Sequence, residues 1–554
     1  MAPRVEDPAH PGEQTARHYD VIVVGAGMAG LRIVIELRKL GLSFLILEEG
    51  GEVGGTWYWN SYPGARTDSE SWVYILNISD ELNNDWTWKE RYPSQTEMLD
   101  YLKHIADRFD IRKHVQFDTR VKSAEWCDSL QFWRITSVSG QSFTSRFFIP
   151  AVGVLSVGRG VPFVGAEKFK GESYVSSAWP KKDLDFTGKR IGLIGTGATG
   201  VQLLPTLAHC AASITVFQRT PNYVLPARNY PLSSYQMDEI KKNYDHVWQL
   251  ARNEIFGISI IDSKVFLKDM KDEAEIRRAL DYGWEVGGFR FVFETYCDLL
   301  VNKEANTIAS NYVRDKIRAI VKDEATAEIL CPKDPLMAKR PPLGHSYYET
   351  FNKPNVALVD IKDNPIKEIT AHGVQLTEKD KRFDTDVFEF DVIIYATGFD
   401  VATGPLTRLA VRGKEGRLLG EQWREQLKTH LGLMVEGYPN MFMMAGPQVP
   451  IGNFPVLLDN TANWIGQCLA YLQKNNYHTA DPSGEAMDRW SEKVQEVFSA
   501  TVMAESAGKA ASWFVGANVP GNPVRPLFWF GGFPSYFEMC NAEQNAGYPS
   551  LVVS

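Results

Sequence analysis

The segment Tyr19-Asp-Val-Ile-Val-Val-Gly-Ala-Gly-Met-Ala-Gly-Leu constrains the fold of this chain more than any other. An apolar run without alternation ends at Gly25, as a parallel strand buried on both faces does. Helical spacing follows through Leu31, Val34, Leu37 and Leu40, and a second apolar run, 44–47, ends at Glu48. Strand, Gly-rich turn, helix, strand and acid, in that order, make a dinucleotide-binding βαβ unit. In such a unit Gly25 makes the tight turn and Gly27 lets the backbone approach a pyrophosphate. Gly30 lets the helix pack closely on the strand, and the helix N-terminus attracts the phosphate charge. Glu48, 18 residues after Gly30, is placed to accept hydrogen bonds from a ribose diol.

The same grammar recurs at residues 189–217. Lys189-Arg-Ile-Gly-Leu-Ile-Gly-Thr-Gly-Ala-Thr-Gly carries Gly195, Gly197 and Gly200, and a helical stretch is expected to about Ala212. The following strand ends not in an acid but in Arg219 and Thr220. A carboxylate there would repel a 2′-phosphate, whereas an arginine pairs with one, so this unit favours NADPH over NADH. With FAD at the first unit and NADPH at the second, the chain is expected to pass hydride from NADPH to a flavin. Disulfide reduction is disfavoured, because the six cysteines include no CxxC or CxxxxC pair. They read as reduced thiols of a cytoplasmic protein, and no metal site is expected.

The expected fold class is α/β, with two Rossmann-like dinucleotide-binding domains and a helical insertion. Residues 1–17 read as a polar, disordered tail rather than a signal peptide. Residues 18–150 and 386–554 are expected to form the FAD domain, and 151–226 with 336–385 the NADPH domain. Residues 227–335 are charged and helical in pattern, for example over 239–250 and 311–321, and read as an insertion in the NADPH domain. The segments 147–153 and 390–400, apolar strands running into glycine, look like the crossing strands that carry the chain between the two domains. A net charge of −9 gives no reason to expect nucleic acid, and no apolar run of 18 residues suggests a membrane span.

Residues 54–68, Gly-Gly-Thr-Trp-Tyr-Trp-Asn-Ser-Tyr-Pro-Gly-Ala-Arg-Thr-Asp, resemble a stretch of the Type I Baeyer–Villiger monooxygenases. The resemblance runs over essentially the whole chain after the tail. It includes Gly195-Thr-Gly-Ala-Thr-Gly, Phe217-Gln-Arg-Thr-Pro-Asn, Pro226-Ala-Arg-Asn, Lys339-Arg340, Tyr347-Tyr-Glu-Thr-Phe-Asn, Ala396-Thr-Gly-Phe-Asp and Ser512-Trp-Phe-Val-Gly-Ala-Asn. In that family NADPH reduces FAD, the reduced flavin adds O2 to give a C4a-peroxyflavin, and the peroxide attacks a ketone to yield an ester or lactone. The chemistry calls for a fixed cation beside the flavin, and arginine suits it because its guanidinium holds its charge.

The resemblance implies that Arg340 is this active-site arginine and that Asp68 orients it. It also implies that Lys339 joins Arg219 on the 2′-phosphate and that the indole N–H of Trp513 serves the cofactor ribose. Further cofactor contacts are implied for Gly55, Thr56, Trp57 and Tyr74, and for Thr196, Thr199, Gln202 and Thr220. One departure stands out. The family fingerprint F-x-G-x-x-x-H-x-x-x-W-P is met at Phe169, Gly171, Trp179 and Pro180, but Val175 stands at the histidine position. The family places this residue on the linker between domains, so its loss bears on domain movement and cofactor positioning. Val152 is a smaller departure, at a position where a small hydroxyl residue is more usual.

Three reactions remain open at this point: oxygen insertion beside a ketone carbonyl, S- or N-oxygenation, and a redox-neutral rearrangement after loss of oxygenation. The apolar Met441-Phe-Met-Met and the loop 446–458, by their position in the family, are expected to line a pocket for a hydrophobic, cyclic or polycyclic ketone. O2 is the other substrate, and a monomer or weak homo-oligomer is expected.

Overall fold

The computed structural model describes residues 17–554. The tail expected over 1–17 therefore lies outside the described residues, apart from Arg17, which opens the first strand.

That strand, Arg17–Val24, pairs in parallel with Phe44–Leu47 on one side and Ser142–Pro150 on the other. Val21, Ile22 and Val23 are wholly buried, which is why no polar residue alternates with them. They sit near the centre of a seven-stranded sheet that also takes Val121–Cys127, Phe132–Ser137, Val115–Gln116 and, from far along the chain, Val411–Arg412. The helix Met28–Lys39 covers this sheet and packs on Phe454–Lys474, a helix that starts with proline near its N-terminus and crosses close enough at Gly466 to touch Glu36. A buried ion cluster fixes the crossing: Arg32 reaches Glu36 at 2.7 Å and Asp459 at 2.9 Å.

The second sheet has five strands, all parallel, in the order Val356–Asp360, Ser213–Gln218, Arg190–Ile194, Val392–Tyr395, Glu172–Val175. This corrects the boundary expected at residue 386. Val392–Tyr395 belongs to the second sheet, paired with Arg190–Ile194, so the chain leaves that unit only after residue 395. The antiparallel ribbon Ile366–Ile369, Gly373–Asp380, Thr385–Glu389 adds Ile369, Val374 and Leu376 to the same core. Val175 is half-buried at the end of its strand, opposite Tyr395.

Two helix lengths also differ from expectation. The helix after Gly197 ends at Leu207 rather than near Ala212. Pro205 removes one backbone donor and crowds the preceding turn, and the helix stops within two residues of it. The helical pattern over 239–250 is two helices, Ser234–Lys242 and Tyr244–Asn253, meeting at Asn243 with φ −118°. The first of them opens on a reciprocal cap between Ser233 and Gln236. Residues 311–320 lie within the long helix Lys303–Ile320, capped by Asn302.

Candidate active site

The two Gly-rich turns are built alike. Gly25 has φ +108° and Gly195 φ +114°, a region that L side chains rarely adopt. A Cβ on Gly25 would lie 2.6 Å from the Ala151 carbonyl oxygen, and one on Gly195 2.4 Å from that of Ala396. Each turn is thus pressed against the end of the strand that leaves its sheet. Gly30 and Gly200 repeat the theme: a Cβ would come within 2.0 and 2.1 Å of the carbonyl oxygens of Gly25 and Gly195. The helices that follow, Met28–Lys39 and Ala198–Leu207, have no side-chain cap and no acid in their first turn. Their leading N–H groups and positive dipole ends face the crevice at the carboxyl ends of the strands, where a pyrophosphate fits.

The turns differ in what covers them. Gly27 is overlain by Gly55, whose Cβ would meet the Gly27 Cα at 2.9 Å, and the Gly54 N–H donates to the Ala26 carbonyl at 3.0 Å. A Cβ at Gly197 would meet nothing within 4 Å. Glu48 lies buried beside the first turn, where its two carboxylate oxygens accept the N–H groups of Ala26 (2.6 Å) and Gly50 (2.7 Å). Burial raises its pKa, against the lowering effect of those two bonds. Each oxygen keeps a second lone pair, the acceptor set that the two hydroxyls of a ribose diol require.

At the second turn the charge is positive. Arg219 is exposed, and no salt bridge holds it among the described residues. Lys339 donates to the Pro221 carbonyl at 3.2 Å. Its pKa is pushed down to about 8, chiefly by burial and further by Arg219, with Asp334 opposing. A lysine crowded by a like charge fits an anion such as a 2′-phosphate. Thr196 donates to the Thr220 carbonyl at 3.4 Å, which ties the turn to the Arg219 loop.

Asp68 and Arg340, 272 residues apart, form an ion pair, both side chains part-buried. The pair joins the 54–68 loop of the first unit to the segment that returns from the helical insertion. The Arg340 guanidinium also lies 4.8 Å from the Phe289 ring centroid, and its carbonyl accepts from Asn222 at 2.9 Å. Tyr62 and Tyr74 stand around it. Burial pushes the Tyr62 phenol up to about 12 and raises that of Tyr74, with the Asp68 charge adding to both. Trp57 packs edge-on to Tyr74 at 5.8 Å, while Thr56 is exposed.

Other expected residues take different places. Gln202 accepts from the Tyr62 hydroxyl at 2.9 Å and donates to the Arg66 carbonyl at 3.1 Å, so its side chain joins the two units. Thr199 is half-buried beside Tyr62. Trp513 is half-buried, edge-on to Phe514 and Phe528. Met441, Phe442, Met443 and Met444 are wholly buried and alternate between the two large cores, so they pack the interior instead of lining a pocket. Sequence reasoning missed Tyr62, although it stands inside the 54–68 motif. It also missed Arg159, which is near Arg219 only in three dimensions.

Residues 22–279 match the family model for pyridine nucleotide-disulphide oxidoreductases. All six cysteines are free thiols, so that match reflects the shared nucleotide-binding architecture. The chain is 38% identical over 533 residues to the cyclohexanone 1,2-monooxygenase of an Acinetobacter species, covering 96% of each. It is 36% identical over 536 residues to a Baeyer–Villiger monooxygenase of Pseudooceanicola batsensis, again covering 96% of each. The chain belongs to the Type I Baeyer–Villiger monooxygenase family. A third relative of this Baeyer–Villiger chain is the phenazine N-monooxygenase of Lysobacter antibioticus, 38% identical over 538 residues with 97% of each covered. Among solved structures, cyclohexanone monooxygenase from Rhodococcus bound to NADP+ matches with a TM-score of 0.93 at 35% identity, covering 98% of this chain and all of that one. Among the described residues no helix is long and apolar enough to cross a membrane, and no cluster of His, Cys, Asp or Glu is arranged to hold a metal.

Proposed function

We propose that this Baeyer–Villiger monooxygenase inserts one atom of O2 beside the carbonyl of a hydrophobic, cyclic ketone, giving an ester or lactone, with FAD at the first unit and NADPH at the second. Bound FAD, reduced by NADPH, would supply the activated oxygen. The observation that carries the reading is the Asp68–Arg340 pair, a cation and its anchor held between the two units. Around the first site, the helix at Gly27 and the carboxylate of Glu48 hold phosphate and ribose. Around the second, Arg219 and Lys339 hold the 2′-phosphate, and the bare turn at Gly197 leaves room for the pyrophosphate. Arg340 keeps a positive charge where negative charge develops on oxygen, and Asp68 fixes its direction. That three of the described relatives and neighbours are named for cyclohexanone or Baeyer–Villiger oxidation supports a ketone substrate.

N- or S-oxygenation is the second reading, favoured by the phenazine N-monooxygenase among the relatives. A panel of cyclic ketones, thioethers and aromatic N-heterocycles, followed by mass spectrometry with 18O2, separates the two. Lactones carrying one labelled oxygen are expected. N-oxides or sulfoxides alone would establish the second reading, and absence of label in every product, with product formed, would point to a redox-neutral reaction.

A further inference from the structure

The two segments that connect the units pair with each other. The Arg159 N–H donates to the Gly398 carbonyl at 2.9 Å, the Asp400 N–H to that of Val157 at 2.9 Å, and Gly158 bridges Phe399 in antiparallel register. The Thr397 hydroxyl donates to the Gly160 carbonyl at 2.8 Å. This short ladder fixes the backbone of Arg159 just past the carboxyl end of strand Val392–Tyr395, where its guanidinium donates to the Thr397 carbonyl at 3.4 Å. No carboxylate forms a salt bridge with it among the described residues. Asp400 is the one acid with a named effect on it, and that effect is the weakest of those named, while Asn522 donates to one Asp400 oxygen at 3.3 Å. Burial, and then the charge of Arg219, disfavours the Arg159 cation.

The sheet order locates this cation. Strand Arg190–Ile194, which feeds the Gly195 turn, lies between Ser213–Gln218, which ends at Arg219, and Val392–Tyr395, which ends near Arg159. The uncapped helix at Gly197 therefore starts between two arginines, one on each flank. A dinucleotide laid along the strand ends puts its 2′-phosphate on the Arg219 flank and its diphosphate over the turn. Two cations on the flanks of one helix N-terminus, neither held in a salt bridge among the described residues, favour an anion between them.

We propose that Arg159 binds the diphosphate bridge of the nicotinamide dinucleotide from the side opposite Arg219, a phosphate contact separate from the 2′-phosphate contacts of Arg219 and Lys339. Arg159 thereby positions the cofactor across the turn and contributes nothing to the choice between NADP and NAD. The inference rests on the second unit holding NADPH.

The test is binding, read by protein fluorescence or calorimetry on the FAD-loaded protein, with NADP+ and 2′-AMP as probes. Loss of one charge-assisted contact predicts that Arg159→Gln weakens NADP+ about ten- to a hundredfold. The same variant should bind 2′-AMP, which lacks the diphosphate, as wild type does, and Arg159→Lys should recover part of the loss. Arg219→Gln should weaken both probes. An Arg159→Gln protein with wild-type flavin content that binds NADP+ within twofold of wild type overturns the proposal. So does an equal loss for 2′-AMP, which would put Arg159 on the 2′-phosphate. Failure of the wild-type protein to bind NADP+ at all would instead refute the assignment of the second unit.

Discussion

Lys339 offers a prediction whose sign can be worked from the structure. In the free protein its ammonium is pushed down to about 8 by burial and by Arg219. A 2′-phosphate is dianionic above about pH 6, so nothing on the phosphate changes between pH 7 and 9. Only the protonated lysine pairs with it, and apparent affinity scales with the competent fraction. That fraction is about 0.9 at pH 7 and about 0.09 at pH 9, so the Kd for NADP+ should rise about tenfold across this window. Lys339→Arg should bind tightly with a flat profile, because a guanidinium keeps its charge. Lys339→Met should bind weakly, with an equally flat profile. Fluorescence titration from pH 6.5 to 9.5 gives the three curves. The stability of the protein without ligand has the opposite sign. A lysine depressed from 10.5 to about 8 in the fold binds fewer protons than the unfolded chain between those values. Stability therefore climbs with pH there, while affinity falls. If Lys339→Arg shows the same tenfold loss as wild type, some other group titrates and the reasoning fails.

Arg340→Ala should keep reduction of the flavin by NADPH but lower product formation about a hundred- to a thousandfold, with NADPH consumption diverted to hydrogen peroxide. Unchanged product yield per NADPH would contradict the role given to the Asp68 pair. Gly30→Ala places a Cβ 2.0 Å from the Gly25 carbonyl oxygen, so it should strip FAD from the purified protein, as its absorbance spectrum will report. Gly41→Ala meets no atom within 4 Å and serves as a control for space, though its φ of +67° carries a backbone cost. Arg32→Met leaves the buried carboxylates of Glu36 and Asp459 without their shared cation. It should destabilise the fold by about 3–5 kcal/mol in chemical denaturation, largely independent of moderate salt.

Both dinucleotide units could be read from the sequence because their signal is local. The apolar strand, the Gly turn and the helix follow one another within about thirty residues, the span of one βαβ unit. Glu48 and Arg219 were equally legible, since each sits at a strand end fixed by that unit. The boundary near 395 was not, because Val392–Tyr395 finds its partner some two hundred residues earlier and carries no mark of which sheet it joins. Met441–Met444 read as a pocket wall because apolar residues suit either setting; only their alternation between two cores shows them to be interior packing. Pro205 is plain in the sequence, but the helical pattern runs on past it towards Ala212, so the stop at Leu207 is not marked there. Asp68 and Arg340 required the family pattern, since a separation of 272 residues offers no local reason for them to meet.

The ladder between 157–159 and 398–400 makes a two-ply strap of what would otherwise be two separate linkers. Single strands twist freely about their own axes, whereas two strands joined rung to rung bend only as a ribbon, across its thin dimension. A swing of the NADPH unit over the flavin would therefore be confined to one arc, and Arg159, riding on the ribbon, would travel with the strand end it is tied to.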